Sequence, residues 1–266
     1  MTSTTTTAQA RWRSLALVAA AGLLLSGAAA AQNQRDPFEK FNRAMFTFND
    51  AADRVALKPA ATAYKEHTPG FVQTGVNNFF GNLTDAWSAM NNLLQGKGQE
   101  GMSDLTRFAF NSTFGILGLL DIASEAGLQK HNEDLGQTLG MWGVPSGPYL
   151  MLPLLGPSTV RDTAALPADL WGDPWSHKEP VGWRNAGIGV RAVDQRATVL
   201  DASNLLEEAA LDRYEFIRDG YLQRRESRVF DGESSRKKGK SQRRADADEV
   251  APQQQDAPVS SEAPSK

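Results

Sequence analysis

Three observations predict an all-α protein in which helices surround an irregular apolar segment. Apolar residues recur at steps of three and four along most of the chain, as one face of a helix requires. We find no stretch that alternates apolar and polar residues as a half-buried strand would. A charge-free run from Leu135 to Val160 contains four prolines, which disfavour a membrane-spanning helix. Such a run survives only when it is packed inside a protein or lines a cavity.

Composition excludes several classes of function. The 266 residues are 41% hydrophobic and 22% charged, and the formal net charge is -3. This balance is typical of one globular domain with extensions, and it lacks the large basic surface that nucleic-acid binding needs. The chain contains no cysteine. Thiol catalysis, thiolate metal sites and a thioether lipid anchor are therefore not expected.

The two ends differ from the middle of the chain. Residues 1–31 have the pattern of a signal peptide, with arginines before an apolar core at Leu15–Leu25 and small residues after it. An uncleaved anchor is the alternative. Residues 32–230 form the predicted helical domain of an exported, periplasmic or envelope protein. Residues 231–266 lack aromatic residues and are rich in polar and charged ones, which predicts a disordered tail.

The first helix is predicted to start at Asp36-Pro37, an N-cap followed by proline. It should end before Pro59. Thr68-Pro69 repeats the start signal for a second helix, which Gly81 should close.

Two further helices follow in the sequence. A third helix should run from Thr84 or Asp85 to Gly96, and a fourth should contain Asp104 and Arg107 on its polar side. Gly115 and Gly118 then interrupt an apolar run, which indicates either a flexible hinge or close helix packing.

The last third of the chain predicts more helices. Ser158 should cap a short helix through Ala165, and Pro167 should start another turn. A helix follows Pro180 and reaches Leu200. Ser203 should cap the last helix, whose outer face carries four arginines. These are Arg213, Arg218, Arg224 and Arg225.

The sequence gives only weak indications of a catalytic site. Ser112, Asp121 and His131 could form a hydrolase triad, but no nucleophile-elbow motif surrounds a serine. The histidines do not have metal-ligand spacing, and no glycine-rich phosphate loop is present. We therefore expect neither an enzyme nor a cofactor or metal site. Amphipathic helices in an exported protein can instead bury their apolar faces in each other or in a lipid interface.

Several blocks of the sequence resemble, in the right order, those of the VacJ/MlaA family. Together they cover roughly Asp36 to Phe230. The blocks are DPFEKFNRAMFTFND (36–50), NNFFGNL (77–83), TRFAFNSTFGILGLLDIA (106–123), EDLGQTLGMWGVPSGPYLMLPLLGPSTVRD (133–162) and YEFIRDGYLQRR (214–225).

This resemblance implies a ring of amphipathic helices around a central channel, lying in the inner leaflet of the outer membrane. It implies a non-enzymatic component of the system that maintains lipid asymmetry. Misplaced phospholipid would pass through the channel to a periplasmic lipid carrier protein, and outer-membrane porins would be partners. The protein would act on the periplasmic side of the outer membrane.

The resemblance also assigns residues to roles. An arginine beside asparagine and phenylalanine would offer a phospholipid both a partner for its phosphate and an apolar path. For Arg43, an ion pair with Glu39 within the helix is the equal alternative. The lipid channel is assigned Asn42, Arg43, Phe48, Asn49 and Arg107, the hinge loop Gly115, Gly118 and Asp121, and the end of the motif Arg161 and Asp162.

One departure concerns the membrane anchor. Members of the family are typically lipoproteins with a cysteine after the signal sequence, and this chain has none. Membrane attachment would then depend on amphipathic helices and porins. A soluble periplasmic lipid-binding module is the alternative, and an envelope hydrolase is a more distant one.

Overall fold

A computed structural model describes residues 36–231, except for the side chains of Glu208 and Ala209. It confirms the all-α class, and the predicted signal peptide and tail lie outside the described residues, apart from Asp231. The α-helices are α1 Glu39–Ala52, α2 Lys58–His67, α3 Gly70–Leu94, α4 Gly98–Thr113, α5 Ile122–Glu125, α6 Leu135–Met141, α7 Val160–Gly172, α8 Val181–Thr198, α9 Leu200–Ala209 and α10 Arg213–Val229. The other elements are a π-helical turn Asp53–Leu57, a 3-10 turn Pro174–His177, and strands β1 Tyr149–Leu152 and β2 Gly156–Thr159.

The chain stays helical across Pro59, so the predicted end before this proline is wrong. A π-helical turn joins α1 to α2, and the backbone N–H of Lys58 donates to the carbonyl of Asp53. Pro59 therefore lies in the first turn of α2. Proline is tolerated there because its missing N–H removes no bond within the new helix.

The predicted break between Gly81 and Thr84 is also absent, because α3 runs without interruption from Gly70 to Leu94. Thr84 does not act as a cap; its hydroxyl donates to the carbonyl of Phe80 within the helix. Glycine inside a helix costs about 1 kcal/mol relative to alanine. Packing of α3 along α4, the most extensive helix contact in the described residues, offsets that cost.

A β-hairpin lies inside the charge-free run, where no strand was expected. β1 and β2 pair antiparallel, with Tyr149 opposite Thr159 and Leu152 opposite Gly156. Four-residue strands are too short to show clear alternation, and Pro157 masks the pattern of β2. The predicted irregular segment is therefore α6, a non-helical connection and this hairpin.

Two predicted caps are displaced. Thr159, rather than Ser158, caps α7 by accepting a hydrogen bond from the backbone N–H of Asp162 at 3.2 Å, and Pro167 lies inside that helix. The predicted last helix is divided into α9 and α10. Asp212 caps α10 by accepting from the N–H groups of Tyr214 and Glu215.

The distribution of polar and apolar side chains is inverted relative to an ordinary globular protein, whose core is mostly apolar. Among the described residues, 20 polar or charged side chains are buried against 11 hydrophobic ones. The buried hydrophobic clusters are small: one contains Ala61, Ala197 and Leu200, and another Tyr149, Met151 and Tyr214. Buried polar groups need partners, so hydrogen bonds and ion pairs must determine much of the packing.

Within residues 36–231, none of the helices combines the length and apolarity that crossing a membrane requires.

Candidate functional site

Two asparagines of α1 hold the free edge of the hairpin. The amide of Asn42 donates to the carbonyl of Tyr149 at 3.0 Å and accepts from the N–H of Met151 at 2.8 Å. Asn49 makes the same pair of bonds with Leu152 and Leu154, at 2.8 and 2.7 Å. The asparagines are seven positions apart, so both project from one face of α1. We call these four bonds the asparagine clamp; they occupy backbone groups that an edge strand would leave unpaired.

A buried carboxylate fastens the clamp to α10. Asp36 accepts hydrogen bonds from Asn42 at 2.7 Å, from the Tyr214 hydroxyl, and from Arg218 at 3.4 Å. Burial, together with the bond to Asp36, raises the pKa of Tyr214 above its ordinary value, so the phenol stays a donor. Asp36 therefore joins α1 to α10, and Asn42 extends this connection to β1.

Arg43 is held between α1 and α10. Its guanidinium pairs with Glu39 at 2.7 Å, Asp212 at 2.9 Å and Glu215 at 3.3 Å. Its Cζ also lies 4.5 Å from the centre of the Tyr214 ring. The ion pair with Glu39 that the sequence offered as one alternative is thus present, and the other contacts connect two helices.

Arg107 is the centre of a second buried cluster. It donates to both carboxylate oxygens of Asp121 at 2.9 and 2.8 Å, to Ser124 at 3.0 Å and to the carbonyl of Leu128 at 2.6 Å. Its Nε lies 3.4 Å from Asp85. Burial alone would raise the pKa of Asp121, but bonds from Ser124, Asn111 and Arg107 outweigh it and lower the pKa to about 2. The cluster connects α3, α4 and α5.

The predicted hinge loop is a close-packed turn between α4 and α5. Ile116, Leu117 and Gly118 have positive φ angles of 54°, 57° and 91°. A Cβ on Gly118 would lie 2.7 Å from the side chain of Asn82, and one on Gly115 would overlap the carbonyl of Leu120. This geometry fits the close-packing alternative for the two glycines. Movement of the loop as a hinge stays a prediction.

Arg161 and Asp162 belong to a third cluster. Arg161 donates to Asp162 at 3.0 Å, and Asp162 accepts from Arg225 at 2.8 Å and from the Tyr221 hydroxyl at 2.9 Å. Arg225 also binds both oxygens of Asp134 at 2.6 Å. Although burial opposes it, the Arg225 contact keeps the pKa of Asp162 below its usual value.

Glycines of α6 make room for these arginines. A Cβ on Gly136 would lie 2.5 Å from a guanidinium nitrogen of Arg225, and one on Gly140 would lie 2.6 Å from a nitrogen of Arg161. The four-residue spacing places both glycines on one face of the helix. This spacing was visible in the sequence, but nothing local indicated which side chains would fill the groove.

Arg218 and Arg225 were expected on the outside of the last helix, and this is wrong. Both are buried. Their partners, Asp36, Asp134 and Asp162, come from distant parts of the chain. Helix periodicity cannot reveal such partners, so it places arginine on the solvent side by default.

The hydrolase triad does not assemble. The carboxylate near the Nδ1 of His131 is Asp104, at 3.1 Å, whereas Asp121 is bound by Arg107. Ser112 accepts a hydrogen bond from Asn82 at 2.9 Å. Residues 36–231 contain no group of three or more His, Cys, Asp or Glu side chains that could hold a metal ion.

Four of the tryptophans in the described residues fall into two groups. Trp87 donates to Asp169 at 2.9 Å, and Trp175 packs edge to face against Phe79 and Phe80. These two are packing anchors. In contrast, Trp171 is 70% exposed and Trp183 is 67% exposed, which is the behaviour expected at an interface.

Large apolar side chains cover much of the outside. Exposed surfaces of this extent are typical of proteins that contact a membrane or another protein. They include Phe38, Phe41, Phe48, Phe71, Phe114, Ile116, Leu117, Leu154, Leu155, Leu205, Leu211 and Phe216.

Between α3 and α8 lies a cavity of about 340 Å³ with a mostly polar lining. The residues that line it are Asn77, Phe80, Gly81, Thr84, Lys130, Asn132, Arg191, Asp194 and Gln195.

Fold and site together define an α-helical protein with an apolar exterior and a hydrogen-bonded, charged interior. A family model described as MlaA lipoprotein matches residues 34–228. The chain therefore belongs to the MlaA lipoprotein family, as the resemblance predicted.

Relatives and a solved structure agree with this assignment. The intermembrane phospholipid transport system lipoprotein MlaA of Escherichia coli K12 is 34% identical over 212 residues, which cover 76% of this chain and 81% of that protein. The protein of the same name from Haemophilus influenzae is 34% identical over 203 residues, 75% of this chain and 81% of that one. A chain from a structural study of bacterial outer-membrane lipid asymmetry superimposes with a TM-score of 0.65 at 35% identity, covering 73% of this chain and 98% of that one.

Proposed function

We propose that this protein transports phospholipid between the outer and inner membranes. It would remove misplaced phospholipid from the outer leaflet of the outer membrane through an internal channel and pass it to a periplasmic carrier protein. Family membership and the names of the relatives support the general role in phospholipid transport. The channel, the carrier and the direction are our proposal.

The observation that carries this proposal is the inverted polarity. Buried charged and polar groups outnumber buried apolar ones, while large apolar side chains cover the outside of the described residues. A helical body with an apolar exterior can lie in the hydrocarbon of one leaflet without any helix crossing the membrane. A polar interior lowers the free-energy cost of moving a phosphate-bearing head group through that body.

We further propose that the helices lie in the inner leaflet of the outer membrane, facing the periplasm, with outer-membrane porins as partners. The exposed apolar surface would provide the attachment. We propose that the transport is passive and non-enzymatic.

Outer-leaflet phospholipid should accumulate in cells that lack the protein, and re-expression should restore the normal level. Enzymatic labelling of surface-exposed phospholipid in intact cells measures this. A level that stays normal after deletion would contradict the transport role.

The cysteine-free sequence also favours testing the soluble lipid-binding module as a second candidate. Fractionation of the envelope separates the two, because a membrane-embedded ring sediments with outer membranes. Recovery mainly in the soluble periplasmic fraction, with bound phospholipid, would support the soluble module instead.

A further inference from the structure

The polar cavity between α3 and α8 is lined by both signs of charge, with Lys130 from the connection between α5 and α6 and with Arg191 and Asp194 from α8. From α3 it is lined by residues 77, 80, 81 and 84, and from α8 by residues 191, 194 and 195. Both spacings describe one face of a helix. The connection between α5 and α6 adds Lys130 and Asn132. At about 340 Å³ the cavity is within the range of about 300–1,000 Å³ that is usual for small-molecule sites.

Two cations meet one turn of α3. The ammonium of Lys130 donates to the carbonyl of Gly81 at 2.8 Å and pairs with Asp85. A Cβ at Gly81 would lie only 3.2 Å from that nitrogen, so the glycine provides the space for the ammonium. Arg191 donates to Thr84 at 3.2 Å and to Asp173 at 2.6 Å.

Both cations keep unused donors. An ammonium carries three N–H groups and a guanidinium five. The described contacts of Lys130 and Arg191 use two each. The remaining N–H groups can bind a phosphate oxygen at the Gly81–Asp85 turn.

The other end of the cavity is negative. Asp194 is buried and accepts hydrogen bonds from the Tyr64 hydroxyl at 3.0 Å and from Asn77 at 3.3 Å. Asn77 and Gly81 are four residues apart, which corresponds to about 6 Å along a helix. The carboxylate and the two cations are therefore separated by roughly one helical turn. A phosphate and an ammonium joined by two carbon atoms span a similar length.

We propose that this cavity binds a phospholipid head group that carries both a phosphate and an ammonium. The phosphate contacts Lys130 and Arg191, and the ammonium contacts Asp194. This rests on the proposed phospholipid transport and adds a preference for an amine-bearing head group over one that ends in hydroxyl groups.

The test uses two lining residues whose side chains make no hydrogen bond within residues 36–231, Asn132 and Gln195. Asn132→Asp and Gln195→Glu each add a negative charge without removing an existing partner. Calorimetry with inorganic phosphate should show about tenfold weaker binding in each variant, because a like charge repels the phosphate. Gln195→Lys should tighten the binding of inorganic phosphate. Gln99→Glu makes the same charge change on the exposed surface of α4 and should leave binding unchanged.

The wild-type chain should bind glycerophosphoethanolamine more tightly than glycerophosphoglycerol, and inorganic phosphate more weakly than either. Equal affinity for all three would overturn the role of Asp194. Affinity that is insensitive to Asn132→Asp and Gln195→Glu would overturn the site. Thermal unfolding of each variant verifies that it folds.

A vesicle-to-vesicle transfer assay separates this inference from the proposed function. Transfer of both head groups at equal rates, unaffected by Asn132→Asp, would leave phospholipid transport standing and reject the cavity as its head-group site. Absence of transfer for any phospholipid, together with the expected binding of glycerophosphoethanolamine, would reject the transport role and keep the site.

Discussion

At the scale of single residues, the buried polar side chains each satisfy several partners at once. Asn42 bonds to Asp36 and to two backbone groups of β1, and Arg107 bonds to groups from α3, α5 and the following connection. Removing one such side chain leaves several buried groups unpaired. The cost of each unpaired group is about 1–3 kcal/mol, so the effects of these substitutions should exceed those of ordinary surface changes.

Asn42→Ala should lower the free energy of unfolding by about 3 kcal/mol, because Asp36 and the edge of β1 lose their amide partner. Urea denaturation measures the change. Asn204→Ala, at an exposed position of α9, is the control and should change stability by less than about 0.5 kcal/mol. Equal effects of the two substitutions would contradict the asparagine clamp.

Glycine-to-alanine substitutions should change the free energy of unfolding in opposite directions in α6 and in α8. Gly136→Ala and Gly140→Ala should destabilise the protein, because a Cβ there would overlap the guanidinium groups of Arg225 and Arg161. Gly189→Ala in α8 has open space around it and should stabilise by about 0.5–1 kcal/mol through helix propensity. Differential scanning calorimetry compares them. Stabilisation by all three would show that α6 does not pack against these arginines.

At the scale of elements, ion pairs join neighbours that apolar packing alone does not. The Arg107 cluster connects α4 to α5, and the Arg225 cluster connects α10 to the start of α6 and to α7. Both depend on ionised carboxylates. Their contribution to stability therefore depends on pH.

Asp121 should contribute to acid sensitivity. Its folded pKa of about 2 lies below the unfolded value of about 3.9, so its stabilisation is complete above the unfolded value and is lost as the pH falls toward 2. The loss amounts to roughly 2 kcal/mol. In urea titrations between pH 5 and pH 2, Asp121→Asn should show a shallower fall than the wild type.

The comparison of the two titration curves isolates Asp121 from other carboxyl groups. Burial raises the pKa of Asp85, Asp104, Glu133 and Asp169, and these groups act in the opposite direction. They are present in both proteins and cancel in the difference. Parallel curves for wild type and Asp121→Asn would exclude a depressed pKa at Asp121.

The tip of the hairpin carries exposed apolar side chains, which are unfavourable in water. The side chain of Leu154 is 72% exposed and that of Leu155 is 63% exposed, and the asparagine clamp holds the backbone of Leu154. We expect the tip to enter the lipid. A rigid apolar tip loses little conformational entropy on insertion.

Replacing both tip leucines with serine should weaken vesicle binding by at least tenfold, because burying one leucine side chain contributes about 1.5–3 kcal/mol. Cosedimentation with phospholipid vesicles measures the change. Asn204→Ser is the control at a polar position. Unchanged binding of the Leu154→Ser, Leu155→Ser double variant would place the tip outside the membrane.

At the scale of the whole molecule, apolar residues predominate outside and polar ones inside. In water this arrangement would expose a large apolar area, and the cost of exposure would scale with that area. In a leaflet, the same side chains would contact lipid acyl chains instead of water, and this cost would be small. The family assignment and the inverted polarity thus both favour a lipid environment for the exposed apolar side chains.

Carbonate extraction tests this at the level of the intact protein. We expect the chain to remain with the membrane fraction after high salt and alkaline carbonate, because hydrophobic insertion is insensitive to ionic screening. Release by salt alone would show that charge, rather than apolar surface, holds the protein on the membrane.

The sequence determined the helical class and the family, because periodicity and the ordered blocks are local or one-dimensional signals. It did not reveal that helices continue through Pro59 and Gly81, since packing against other elements overrides local propensity. It also placed Arg218 and Arg225 outside, although both are buried.

Only the tertiary structure decided which buried polar and charged groups meet. Asp36 and Arg218 are 182 residues apart, and Asn42 and Tyr149 are 107 apart. No periodicity connects such positions, because the free energy that buries them comes from partners supplied by distant segments. The same reason explains why the cavity between α3 and α8 was invisible in the sequence. Arg191 and Asp194 share one face of α8, but Lys130 and the facing residues of α3 join them only when α3 and the connection between α5 and α6 pack.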